Sequence, residues 1–265
     1  MMRSIYLKTL WEKRFFVLGW AIGLTALAAL MTSFFPAMKV SGLDELVKNM
    51  PPAFKGLVGD LALLQSFDTY IASQLFDIRV PLITGIMAII LGLGVSISEE
   101  ESGELRTLTA LPVGRVSLLL QKWFAMLTII LVAACGLALG IYLVMPFIDD
   151  ASIDTGVVVQ LVAMTALMMT TYGTIPFAFA FATGQRAVAT FVSIFVIIGG
   201  FILATFGSAV DWLKDYEKFS LLHYFPAVEI VTDEGVVAWD ALILAGITIV
   251  LLITAVLWFR RRDIA

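Results

Sequence analysis

The residues able to do chemistry are few, and one short run gathers several of them. From Ser98 it reads Ser-Glu-Glu-Glu-Ser-Gly-Glu-Leu-Arg-Thr-Leu-Thr-Ala-Leu-Pro-Val-Gly-Arg115. Leu105, Leu108 and Leu111 recur every three residues, the spacing of one helical face. Glu99, Glu100, Glu101 and Glu104 lie where a helix N-terminus favours negative charge. Ser98 and Glu101 have capping-box spacing, and Ser102 is an equally good cap. Pro112 ends the helix, and Arg115 and Lys122 then lead back to a basic membrane interface. The spacing predicts an amphipathic helix about two turns long, with Glu101 facing away from the leucines. Three leucines are too few for a core, so this face needs a surface to rest on: a protein partner, the lipid, or the chain's own apolar segments.

Other chemistries are excluded by counting. There is one cysteine, Cys135, and one histidine, His223. No internal disulfide, thiolate cluster or two-histidine zinc site can be built from these. Cys135, beside Gly136, reads as a small apolar filler, and His223 as a hydrogen-bonder in a loop. No G-x-x-x-x-G-K-[ST] loop is present, so no nucleotide cofactor is expected on this chain. No basic stripe suited to phosphates exists either, which argues against nucleic acid as a partner.

The elements that carry the run are membrane spans. Sixty per cent of the 265 residues are hydrophobic and 14% charged, against about 25% charged in soluble domains. Six stretches lack Asp, Glu, Lys and Arg: 15–35, 80–98, 123–145, 157–181, 187–206 and 241–259. At about 1.5 Å per residue each can cross the lipid bilayer, and in lipid each must be a helix. The first is too long for the apolar core of a secretory signal and is read as a retained anchor. The expected fold class is thus an all-α polytopic membrane protein, one domain over 1–265. The connections on the side of both termini hold 11 basic residues and the others 6, which predicts cytoplasmic termini in the cell membrane. The other side carries 15 acidic residues.

Ser4–Arg14 mixes Ile5, Tyr6, Leu7, Leu10 and Trp11 with Lys8, Lys13 and Arg14, a pattern that fits an interfacial helix or plain positive flanks. The fourth span contains Thr170, Thr171, Thr174 and Pro176. Pro176 frees the carbonyl of Tyr172, which a nearby hydroxyl can satisfy. These residues read either as a lining for a substrate path or as packing glue. Gly136 and Gly140 have GxxxG spacing, within or between subunits. No span holds an ionisable residue, which argues against ion-coupled transport and intramembrane proteolysis. Energy must therefore come from another polypeptide.

The run from Glu99, continued by Leu118-Leu-Leu-Gln-Lys122, resembles the coupling loop of type-2 ATP-binding-cassette permeases, the membrane subunits of drug, antibiotic and glycoconjugate exporters. Glu99, Glu100, Gly103, Leu105, Leu108, Leu111, Pro112, Arg115 and Lys122 match the family pattern. Glu104 stands where a Thr is common, and Gln121 where a Gly often precedes the Lys. The resemblance implies a coupling helix between spans two and three, docking on an ATPase through these residues, with Glu104 at its rim. It implies ATP and Mg on that partner ATPase, a second permease subunit in a homo- or heterodimer, and outer-leaflet helices between spans five and six. The uncharged interior suggests hydrophobic or amphipathic cargo. The competing readings are a non-transporting scaffold that recruits a soluble partner, and a secondary transporter with backbone-coordinated ions.

Overall fold

A computed structural model describes residues 4–40, 66–77, 79–101, 114–206, 213–232 and 235–262, and none of them is in a strand. Ser4 caps a first helix, Ile5–Glu12, its Oγ accepting from the Leu7 N–H. Six long apolar helices follow: Arg14–Ser33, Arg79–Ser96, Arg115–Val144, Thr155–Thr183, Arg186–Phe206 and Ala238–Arg261. The six expected spans are therefore present, with shifted ends.

Two shifts matter. The third span starts at Arg115, eight residues before Trp123. A charge-free window stops at Lys122, but backbone hydrogen bonding does not, because a long cationic stem can pack along a helix. The second span is preceded by a helical turn, Phe67–Ile71, and a π-helical stretch, Ala72–Asp77. This replaces the tail of the expected connection between the first and second spans with helix. Pro81 has no N–H for the carbonyl four residues back, that of Asp77, so the α ladder cannot run through unbroken. The extension is held to the end of the first span: Tyr70 Oη donates to the Met31 carbonyl at 2.9 Å, and Phe35 packs on Phe67 and Tyr70.

The fourth span is the axis of the bundle. It packs against the second, third, fifth and sixth, and most of its apolar length is buried, whereas the first, fifth and sixth are largely uncovered. Lipid supplies no hydrophobic drive between helices, so contact depends on close van der Waals fit at small residues. Gly92 meets the fourth span so closely that a Cβ there would lie 2.3 Å from the Gly173 carbonyl oxygen and 2.9 Å from the Pro176 ring. Gly136 and Gly140 receive the first span: added Cβ atoms would lie 2.6 Å from the Ala21 and 2.3 Å from the Thr25 carbonyl oxygen. Their contact is within the chain. Cys135 is exposed on the helix surface rather than packed as a filler.

Between the fifth and sixth spans the chain forms two 3-10 turns, Lys214–Phe219 and Leu221–Tyr224, and a short helix, Ala227–Thr232. Ser220 Oγ donates to the Gly200 carbonyl at 2.8 Å. Gly200 lies six residues before the end of the fifth span, so the segment folds back about 9 Å along that helix. Leu221, Phe225 and Ile230 are buried, while Tyr216 and Phe219 are exposed. His223 is an exposed residue stacked edge-on to Tyr224.

Candidate functional site

The acidic, leucine-rich run leaves the second span and enters the third at the end of the bundle that bears both termini. Gly103, Glu104, Leu105, Leu108, Leu111 and Pro112 lie outside the described residues, so the structure speaks to the two stems that hold them. The backbones of Glu99 and Glu100 lie in a helical turn, Ser98–Glu101, that follows the second span after a break at Ile97. Ser98 is inside this turn rather than capping a later helix, since the Glu101 N–H donates to the Ile97 carbonyl.

Lys122 joins the stems. It is 1% exposed, and its Nζ donates to the Val95 carbonyl at 3.0 Å with the Phe181 ring 5.7 Å away. Sequence reasoning left this residue at the open interface. In the structure the long third helix carries it inside. A buried ammonium needs acceptors, and Val95 offers one of the last four carbonyls of its helix, at the negative end of the dipole. Phe181 in turn stacks with Phe177 and with Phe259 of the sixth span, centroids 4.8 Å apart in each case. The lysine thus ties the second and third spans to an aromatic seam of the fourth and sixth.

Two further contacts brace the same end. Glu101, expected to face away, pairs with Arg186 at the start of the fifth span, 2.5 Å apart, with both side chains about half exposed. Arg115 donates to the carbonyls of Arg262, at 2.6 Å, and Phe259, at 3.4 Å. It therefore fills acceptors left open at the C-terminus of the sixth helix. Through these contacts each stem is connected to more than one span.

Deeper in the bundle the fourth span's hydroxyls are buried. Thr171 Oγ1 lies 2.9 Å from Thr248 Oγ1 of the sixth span, and Trp123 Nε1 donates to Thr174 Oγ1 at 3.0 Å. Thr170 and Thr174 donate to carbonyls one turn back, those of Ala166 and Thr170. Pro176 is buried beside Gly92. In this arrangement the group joins helices. Among the described residues there is no group of three His, Cys, Asp or Glu side chains placed to hold a metal.

A family model described as "Multidrug efflux system permease Rv1217c, C-terminal domain" matches residues 9–260. The chain belongs to this family. The match agrees with the resemblance carried by the loop, and it makes the chain a membrane permease of the ATP-binding-cassette type. A comparison with curated proteins found no match.

In this permease the departure at Gln121 has a visible use. Its Oε1 accepts from the N–H groups of Ile5 and Tyr6, at 3.0 and 3.3 Å. These are donors that the first turn of a helix cannot satisfy internally. Tyr6 Oη lies 3.0 Å from Thr128 Oγ1 of the same span. The N-terminal helix is therefore pinned along the third span, with Leu7, Trp11 and, just beyond it, Phe15 exposed. A glycine at 121 could not do this. The sequence signal available was an amide at the depth of a helix start, and it is unreadable until the two helices are known to meet.

Proposed function

We propose that this chain is the membrane permease subunit of an ATP-binding-cassette exporter, moving hydrophobic or amphipathic cargo out of the cytoplasm with energy from a separate ATPase subunit. The observation that carries the reading is the family match over residues 9–260. The printed family name speaks of multidrug efflux, and cargo of mixed apolar character suits an interior without mid-span charges. Both termini face the cytoplasm, so the loop between spans two and three meets the ATPase.

The braced stems support a mechanism of coupling. Leu105, Leu108 and Leu111 insert into a cleft on the ATPase, with Glu99, Glu100, Gly103, Glu104, Pro112 and Arg115 around them. Two permease subunits pair with two ATPase subunits carrying ATP and Mg, in a homo- or heterodimer with two-fold symmetry. Closure of the ATPases displaces the loop. The Lys122 and Arg115 contacts pass that displacement to several spans at once. A ligand-driven switch needs different contacts in its two states. The proposed substrate path runs beside the fourth span, where Thr170, Thr171, Thr174 and Pro176 become accessible when the neighbouring spans move off them.

Burying a leucine against the ATPase contributes about 1.5–3 kcal/mol. Leu108→Asp is expected to abolish ATPase co-purification or export while the spans remain inserted. Glu101→Ala removes only a half-exposed ion pair worth about 0.2–1 kcal/mol and serves as the control. Wild-type assembly and export in Leu108→Asp would reduce the loop to a surface connection. ATPase binding without any substrate-stimulated ATP hydrolysis would favour the scaffold.

A further inference from the structure

At the end bearing both termini a cleft of about 450 Å³ opens between the fourth and sixth spans. Ala182 forms one wall, and Leu257, Trp258, Arg261 and Arg262 form the other. Among the described residues that line it, none is acidic. Trp258 is 62% exposed, and Arg261 is exposed too.

The cationic side of the cleft is held in place. Gly184 ends the fourth span with φ +67, in the left-handed region that glycine enters without strain. A Cβ there would lie 1.6 Å from Arg262 Nη2, so the absent side chain is the space the guanidinium occupies. Arg262 Nη1 also reaches the Phe181 carbonyl at 3.5 Å, and its own carbonyl accepts from Arg115. Arg262 is thereby anchored on two sides, with Arg261 beside it.

Away from the arginines the same face of the sixth helix is apolar and uncovered. Val250, Ile253, Leu257 and Trp258 follow at helical spacing, each about half exposed or more. A guanidinium pair at the level of the helix end, an indole at the interface and an apolar stripe running to mid-membrane match the parts of one molecule in order: phosphate, glycerol region, acyl chain. Soluble phosphate, with no apolar part, would leave the stripe unused.

We propose that this cleft binds one anionic phospholipid, its headgroup phosphate on Arg261 and Arg262 and an acyl chain along Val250, Ile253 and Leu257. The bound lipid bridges the ends of the fourth and sixth spans, beside the Arg115 contact.

The test is native mass spectrometry of the full-length detergent-solubilised chain, titrated with phosphatidylglycerol or phosphatidylcholine, with and without inorganic phosphate. One phosphatidylglycerol should be retained in preference to phosphatidylcholine, and millimolar phosphate should not displace it. Arg261→Gln should weaken retention about fivefold, and Arg261→Gln with Arg262→Gln about twentyfold. Arg260→Gln, equally cationic but outside the cleft, should retain it as the wild type does. The lipid assignment is overturned by equal retention of both lipids, by equal losses in Arg260→Gln and Arg261→Gln, or by displacement with phosphate alone. If the double variant fails to fold, the wild-type lipid preference and the Arg261→Gln against Arg260→Gln comparison still decide the matter.

Discussion

Gln121 and Lys122 are neighbours in sequence that serve different elements. One caps the N-terminal helix, and the other enters the bundle to bond the end of the second span. Lys122 is the more informative for mechanism, because it links both stems of the proposed coupling loop. Lys122→Met keeps the volume of the stem and removes the donor to the Val95 carbonyl. Leaving a buried acceptor without its partner costs about 1–3 kcal/mol. The expected result is a lower thermal unfolding midpoint in detergent, with helical content unchanged below it. An unchanged midpoint would show that this bond contributes nothing to stability. The charge count could assign Lys122 to the basic side but not to the interior, because burial depends on which carbonyl the third helix brings alongside.

At the scale of elements, small residues decide which helices touch. Gly92 and Gly140 are sites of backbone-to-backbone approach, whereas Gly246 has nothing within 4 Å of an added Cβ. Gly92→Ala and Gly140→Ala should each destabilise by about 1–3 kcal/mol through overpacking. Gly246→Ala should be neutral or stabilise by up to about 1 kcal/mol, since alanine is the better helix former. Thermal unfolding of the three variants in one detergent makes the comparison, and a Gly92→Ala protein as stable as Gly246→Ala would falsify the close contact. The GxxxG spacing at 136 and 140 was readable from the sequence, and its partner, the first span, was not. Gly92 carried no such pattern: its partner is the surface formed by Gly173 and Pro176, remote in sequence.

For the molecule as a whole, the distribution of basic residues sets a testable orientation. In a Cys135→Ser background, Gly103→Cys should resist a membrane-impermeant thiol reagent applied to intact cells and react once the cells are opened. Asp215→Cys, on an exposed turn of the connection between spans five and six, should react from outside. Labelling of Gly103→Cys in intact cells would invert the topology and remove the loop from any cytoplasmic ATPase.

The number of spans and their helical nature were legible because lipid imposes them locally. About 20 residues without charge must cross as a helix whatever their neighbours do. The acidic, leucine-rich run stands out in the sequence because a short amphipathic period is a property of adjacent residues, and its leucines lie outside the described residues. Which span occupies the centre, whether Thr171 and Thr174 meet Thr248 and Trp123, and that Glu101 pairs with Arg186 were decided only in the tertiary structure. These pairings join residues far apart in the chain through a choice among helix faces that are nearly equal in hydrophobicity. In such a bundle periodicity carries little information, and steric fit at a few glycines selects the neighbour.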